Sequence, residues 1–362
     1  MALLTWIERV RELSAPALTV RAQLVDPTLQ NTLLWDQFFP RQPVDSTELD
    51  EIMEEQVEVE YVSERREWNT RGRPIPFAAP GRYKLEFIPI ETYFEIMEKE
   101  INDLLLRFNG NQAMMMDQIG PRIPRRTDRI AAANFRRIEK DAFDGWSGGV
   151  ITRRNPQLGH VAQTFNFNFA GARYPTASPA WDAVGANAFN ELIKMVPVAD
   201  KQIGRVQGAI MRQATWDKVI ADATAAISVS STFPILRLTN EEIEARLRAE
   251  LRREFTIVIF EDTLETFADG GLTNTTTVQR WPAERVGFIP AANGGAVGFT
   301  AFAPVARAYD LTAQVPDAGI DVRGNTVYHF AENGGRQFVV ECQLNAFPVP
   351  FEDRMFVANV GV

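Results

Sequence analysis

The sequence predicts an α+β fold. Period-two alternation of apolar and polar residues, at Val57-Val59-Tyr61, Tyr83-Leu85-Phe87 and across 161–169, marks half-buried strands. Apolar stripes at helical spacing, such as Ala131-Phe135-Ile138-Ala142-Trp146, mark helices with one face on a core. The C-terminal stretch 336–360 adds extended runs, with Phe338, Val340 and Cys342 alternating and Met355-Phe356-Val357 resuming after Pro348 and Pro350. Proline cannot donate to a ladder, so these two mark an edge, a bend or a break.

The elements follow in order. Residues 1–14 fit a short amphipathic helix with Leu3, Ile7 and Val10 on one side, ended by Pro16. Residues 15–50 lack periodicity, carry Pro16, Pro27, Pro40 and Pro43, and hold the bulky cluster Leu33, Leu34, Trp35, Phe38 and Phe39. A structureless stretch this long is unusual inside a compact domain, so it reads as an arm that packs on another surface. The strands at 57–61 and 83–87 flank a Pro/Gly/Arg-rich tip, 63–81, too long for a tight turn. Together they form a two-stranded ribbon with a large tip, and such ribbons are marginal alone in water.

A helix is expected over 92–108, with Ile96, Ile101, Leu104, Leu105 and Phe108 inward and Gly110 at its end. A second, over 125–146, has Arg129, Arg136, Arg137, Glu139 and Lys140 on its outer face and is stopped by Gly145, Gly148 and Gly149. Residues 149–170 read as a hairpin turning at Asn155-Pro156. Ser178-Pro179 has the form of a helix start, with Trp181, Val184, Ala188, Leu192 and Met195 following at helical spacing. A short strand and a helix containing Trp216, Val219 and Ile220 occupy 209–224. Thr239 and Glu242 have capping-box spacing and open a helix with Ile243, Leu247 and Leu251 inward. Glu242–Arg246 and Glu244–Arg248 are its expected i,i+4 pairs. A continuous apolar strand spans 255–260, and 264–330 holds short strands and Gly-rich turns, with Asn293-Gly294-Gly295 and Asn333-Gly334-Gly335 as hairpin turns.

Composition narrows the function. The 362 residues suffice for two or three domains. A net charge of -9 argues against broad non-specific nucleic-acid binding. Cys342 is the single cysteine, so neither an intrachain disulfide nor a cysteine zinc site is expected. The two histidines, His160 and His329, lack metal-site spacing. Charges at Glu8, Arg9, Arg11 and Glu12 interrupt any signal-peptide core, and no run approaches the roughly 20 apolar residues of a membrane span. The chain is expected to be soluble and intracellular when made. Cys342 with His329 or His160 is the one thiol–imidazole combination, and a cysteine inside an alternating strand reads as a small buried residue. No phosphate loop or dinucleotide fingerprint is present. The expectation is no catalytic residues, no cofactor and no metal.

Three clusters invite a binding role. Arg65, Arg66, Arg71, Arg73 and Arg82 surround the ribbon tip, while Glu54, Glu55, Glu58 and Glu60 line the stem. They form either a solvated loop or a basic tip that docks on an acidic patch of a neighbour. Trp35, Phe38 and Phe39 are either core or intersubunit anchors. The basic segment 122–129 reads as a helix start with exposed arginines in preference to a DNA contact. Arginines there oppose the helix dipole, which hints at a partner.

In this order the pieces resemble the lambda-type major capsid protein family of tailed bacteriophages, the protein E family, whose fold is shared by tailed phages and herpesviruses. The resemblance is carried by Trp35-Asp36-Gln37-Phe38-Phe39-Pro40, by Gly149-Val150-Ile151-Thr152-Arg153-Arg154, and by the 255–260 strand with the later Trp281-Pro282-Ala283-Glu284-Arg285-Val286-Gly287-Phe288. The strongest part is 336–357, through Pro350-Phe351-Glu352-Asp353-Arg354-Met355-Phe356-Val357. It implies an N-terminal arm (1–51), an extended two-stranded loop (52–91), a peripheral domain with a spine helix (92–204 and 331–362) and an axial domain (205–330). It further implies a non-enzymatic virion protein that self-assembles in the host cytoplasm into hexamers and pentamers. These would close an icosahedral head around double-stranded DNA, bound without sequence specificity. Partners would be a separate scaffolding protein, a portal and a cement or decoration protein, with no membrane. On this reading the tip arginines and the arm aromatics contact neighbouring subunits. Lys84 is the only ribbon lysine and lies on the stem, so a self-made covalent crosslink is not implied. The alternative is an encapsulin-type bacterial shell, distinguished by its neighbouring genes.

Overall fold

The longest of the described strands, Gln337–Pro350, lies near the C-terminus, and the fold is organised around it. The computed structural model describes residues 33–44, 48–53, 81–86, 90–107, 109, 122–154, 161–230, 238–260, 263–267, 275–303, 319–320, 326–332 and 337–361. Within these, β1 (Arg41–Pro43), β4 (Ile90–Met97), β12 (Gly298–Ala303), β13 (Gly319–Ile320), β14 (Thr326–Glu332) and β15 (Gln337–Pro350) make a six-stranded sheet in the order β1-β12-β15-β14-β13, with β4 also on β15. The first half of β15 pairs antiparallel with both β4 and β14, and its second half pairs with β12.

The prolines do not break β15. The Phe351 N–H donates to the Val297 carbonyl at 2.9 Å. Hydrogen-bonded and non-hydrogen-bonded pairs alternate in an antiparallel ladder. Val349–Phe299 and Phe347–Ala301 are therefore the bonded pairs, while Pro350–Gly298 and Pro348–Thr300 fall at non-bonded positions. Among the described residues no other strand pairs with this half of β15. The missing proline N–H groups thus cost the ladder no bond among the described residues. Gly298 faces Pro350 so closely that a Cβ there would sit 2.3 Å from the Val349 carbonyl oxygen and 2.7 Å from Phe39 Cε1. Two of its three closest neighbours are backbone atoms, so Gly298→Ala is expected to cost about 3 kcal/mol, read as a lowered denaturation midpoint.

A second sheet has the order β16-β11-β7-β8, from β7 (Val206–Arg212), β8 (Thr256–Phe260), β11 (Arg285–Pro290) and β16 (Val357–Asn359). β7 and β8 run parallel. The crossover between them contains two helices, which we number after α1 (Trp35–Phe38), α2 (Glu98–Arg107), α3 (Arg122–Gly148) and α4 (Ala188–Ile203): α5 (Gln213–Ser230) and α6 (Asn240–Leu251). Helices α4 to α6 bury Leu192, Val196, Trp216, Val219, Ile243 and Leu247 in one core with Phe255, Val286, Phe288 and Phe356. α4 therefore packs with the four-stranded sheet, and so does the C-terminal strand β16. β12, β13 and β14 belong instead to the six-stranded sheet. Three two-stranded ribbons complete the description: β2 (Glu48–Met53) with β3 (Gly81–Glu86), β5 (Val150–Arg154) with β6 (Val161–Asn166), and β9 (Thr263–Phe267) with β10 (Thr275–Gln279).

Several local expectations hold. α3 covers the expected second helix and begins three residues earlier, because Pro124 falls in the first turn, where a missing N–H costs nothing. Gly145 and Gly148 are helical; Gly149, at φ +66°, ends the helix. The 149–170 hairpin forms as β5–β6, with its turn outside the described residues. Thr239 and Glu242 make the capping box in both directions, and Glu244 pairs with Arg248 at 3.1 Å.

Others are corrected. Residues 92–97, expected as the start of a helix, form strand β4. Thr92, Tyr93, Phe94 and Ile96 are strand formers, and eight consecutive residues pair in register with β15. The helix begins only at Glu98. No helix starts at Ser178-Pro179. The N–H groups of Ala177, Trp181 and Asp182 are spent on the carbonyls of Asn359, Val360 and Gly361, and Val184 is fully exposed. α4 starts at Ala188, where the Asn187 side chain accepts from the Asn190 N–H. Glu242 does not reach Arg246: its carboxylate bonds Thr239, while Arg246 lies over the Phe189 ring at 5.0 Å. The expected strand at 57–61 lies outside the described residues.

Candidate functional site

Three places could do work: the knot that holds segment 33–44, the ribbon β2–β3, and the outer face of α3. The knot joins the two sheets. Trp35, Phe38 and Phe39 bury against Phe135, Ile138, Phe143 and Trp146 of α3, and this core continues through Trp281, Ile289, Phe302 and Leu344. Phe38 and Trp146 ring centres lie 5.2 Å apart, as do those of Trp146 and Trp281. Arg41 stands over Trp35, Phe135 and Phe302, at 5.1 to 5.7 Å from the ring centres, and pairs with Asp36 at 3.2 Å. The side chains of Trp35, Phe38 and Phe39 are at most 1% exposed. Within the single chain they are core residues, the first of the two readings the sequence left open.

A charged group sits in this knot that the sequence reading placed on the outer face of the helix. Glu139 is 0% exposed. Its Oε1 accepts the Leu34 N–H at 2.9 Å, and its Oε2 lies 3.5 Å from Arg280 Nε. One carboxylate thus ties the arm, the long helix and the segment entering β11. Its neighbour in sequence is Ile138, on the apolar stripe; a glutamate at the stripe's margin was the available signal. Asn134 donates from Nδ2 to the Cys342 carbonyl at 3.1 Å and reaches its Sγ at 3.3 Å. Cys342 is wholly buried where α3 meets β15, so the thiol packs as a small buried residue.

Asp144, near the end of α3, has its carboxyl pushed above the usual range by burial, an effect Lys140 partly offsets. The folded state therefore holds this proton more tightly than the unfolded chain, and the contribution to stability falls as pH rises through the raised value. Asp144→Asn is expected to remove that part of the slope when the thermal midpoint is followed from the carboxylate range toward neutrality. The phenol of Tyr174 is likewise pushed up by burial.

The ribbon is the one site residue group of the tip that the structure reaches. Arg82 lies on β3 opposite Ile52; Arg65, Arg66, Arg71 and Arg73 lie outside the described residues. Register places Leu49 opposite Leu85, Glu51 opposite Tyr83 and Met53 opposite Gly81 on one face, with Ile52 and Arg82 on the other. Glu48, opposite Glu86, and Asp50, opposite Lys84, share that other face. Among the described residues no third strand joins this pair. Among them, too, no group of three or more His, Cys, Asp or Glu could hold a metal, and no helix is long and apolar enough to cross a membrane.

No protein-family model matches the chain, and no curated protein matches it. Solved structures do. A protein described as the capsid protein of an Escherichia coli prophage matches at 12% identity over 91% of this chain and 93% of its own, with a TM-score of 0.51. A phage-related protein from Bordetella bronchiseptica matches at 11% identity over 91% of this chain and 92% of its own, with a TM-score of 0.46. The encapsulin of Synechococcus elongatus, in its complex, matches at 10% identity over 90% of this chain and 86% of its own, with a TM-score of 0.42. The likeness to the prophage capsid protein, at a TM-score of 0.51, shows that this chain shares its mixed helix-and-sheet fold.

Proposed function

We propose that this chain is the major capsid protein of a tailed phage, of the lambda-type protein E kind. It assembles into hexamers and pentamers that close an icosahedral head around double-stranded DNA. The observation that carries the reading is the ribbon β2–β3 on this fold. Two strands with Leu49, Met53, Tyr83 and Leu85 on one face beside Glu51, and no third strand among the described residues, are marginal alone in water. They gain stability by lying on another subunit. The arm, extended loop, peripheral domain and axial domain divide the chain at the boundaries given above. A shell closes only through heterologous contacts that curve, and a separate scaffolding protein sets that curvature before DNA enters through a portal.

The test is expression with the neighbouring genes and electron cryomicroscopy of the particles. Closed shells holding DNA, with ribbons over adjacent subunits, are expected. A dispersed monomer in the presence of its scaffold and portal would overturn the reading, and shells filled with a protein cargo would turn it to an encapsulin.

A further inference from the structure

Among the described residues three large apolar side chains stand exposed: Leu106, Val184 and Val198. Two of them belong to one helix and the turn that leads into it. Val184 is at the tip of a knob just ahead of α4, and Val198 is on the outer face of α4 itself. The knob is held rigidly. Trp181 buries in the core at its base, and the Trp181 and Asp182 N–H groups donate to the Val360 and Gly361 carbonyls. The chain then doubles back, with Ala183 N–H donating to Ala180 at 3.0 Å and Ala186 N–H to Ala183 at 3.1 Å. Gly185, at φ +85°, makes the return. Among the described residues no backbone carbonyl takes the N–H of Val184 or Gly185. Asp182 is exposed and forms no ion pair with a described residue.

The face of α4 has the converse character. Asn190, Lys194, Pro197, Val198 and Lys201 form its exposed stripe. A proline inside a helix has no N–H for the carbonyl four residues back, so Pro197 leaves the Ile193 carbonyl without that donor on this same face. Lys194 pairs with Glu191 at 2.7 Å, while Lys201 is exposed and has no ion pair among the described residues. The proline is a cost to α4 that nothing on this face of the isolated subunit offsets.

We propose that the knob 182–186 of one subunit docks on the Pro197–Val198 face of α4 in a second copy of this chain. Val184 packs on Pro197 and Val198, the N–H groups of the tip meet the Ile193 carbonyl, and Asp182 comes to Lys201. The two surfaces match in apolar character, in donor and acceptor, and in charge. From Ala188 to Val198 is about 15 Å along the helix axis. The knob, pinned beyond the first turn, does not reach its own patch. The contact therefore runs head to tail, the heterologous kind that closes rings. This rests on the shell reading and names a contact between ring neighbours. The rigidity of the knob limits the ordering cost of docking.

The experiment places cysteines at both positions. Val184→Cys with Val198→Cys, in the full chain co-expressed with its neighbouring genes, is oxidised as assembled shells and run on a non-reducing gel. The native Cys342 is wholly buried and does not compete. A disulfide needs Cα atoms about 4.4–6.8 Å apart. A ladder of covalent multimers rising to pentamer and hexamer is expected, and it is absent from either single variant. Should the cysteines impair assembly, charge exchange replaces them. Asp182→Lys is expected to lower shell yield several-fold with an unchanged circular dichroism spectrum, and adding Lys201→Glu to restore it. Intact shells without a ladder, full yield from Asp182→Lys, or a loss that Lys201→Glu does not rescue overturn the proposal and leave the shell reading intact. Dimers from one single variant also overturn it, since the knob or the patch then meets itself. A conjugate with a different protein overturns it by assigning the surface to that partner. Absence of shells from the unaltered chain removes the shell reading and this proposal with it.

Discussion

Glu139→Ala is expected to destabilise the folded subunit by about 3–5 kcal/mol, the cost of opening one side of a buried ion pair. The carboxylate is fully buried, accepts the Leu34 N–H at 2.9 Å and faces Arg280 at 3.5 Å. Alanine leaves the Leu34 N–H without this acceptor and deprives Arg280, itself 8% exposed, of the charge beside it. The loss falls at the junction of three segments far apart in sequence. It should therefore loosen the arm from the helix as well as lower global stability. Glu139→Gln keeps an acceptor for Leu34 while removing the charge, and should cost less than alanine. Replacing both partners with apolar residues, as Glu139→Leu with Arg280→Met, should cost less than either single change, because a filled apolar core tolerates the site better than a lone charge. Equilibrium denaturation followed by tryptophan fluorescence reads all three. An alanine cost below about 1 kcal/mol would mean the pair behaves as a solvated one and that the knot does not depend on it.

The same junction shows how far the sequence could be read. The interior of α3, the β5–β6 hairpin and the Thr239–Glu242 box were legible because the signals are local: a 3.6-residue stripe, a period-two stripe, a three-residue spacing. Strand β4 was not, since Ile96 continues into the helical stripe of α2. What decides its conformation is the ladder to β15, some 240 residues on, a partner no local window contains. Glu139 was misplaced for a related reason. Its position on the helical wheel is at the margin of the apolar face, and only the arm folding over it turns margin into interior. The arm aromatics were legible as a cluster that must bury; that the surface burying them is their own α3 depends on Trp146 of that helix meeting Trp281, just ahead of β11. In the candidate site, the strand expected at 83–87 forms as β3 while that at 57–61 lies outside the described residues, and the pairing register that sorts Leu49 from Asp50 came only with the structure.

Reversing two charges at the ribbon tip is expected to have the largest functional effect: Arg71→Glu with Arg73→Glu should block shell assembly while the subunit stays folded. The reason is multiplicity. In a closed shell each subunit gives one ribbon and receives another, so an unfavourable contact is repeated at every interface and cannot be avoided by rearranging a few copies. Placing like charges against an acidic receiving patch costs several kcal/mol per contact, against a ribbon whose own two strands are marginal. Guanidinium groups suit this docking because their planar fork engages a carboxylate through two bonds, which a lysine cannot reproduce. Arg71→Lys with Arg73→Lys, keeping charge and losing the fork, should therefore slow assembly without abolishing it. The measurement is sedimentation and electron microscopy of co-expressed particles, with circular dichroism and thermal melting of the unassembled subunit as the control for folding. Normal shells from the glutamate variant would show that the tip is a solvated loop. The contact energy would then have to come from Leu49 and Leu85 on their shared ribbon face, whose replacement by serine is the variant to compare in the same assay.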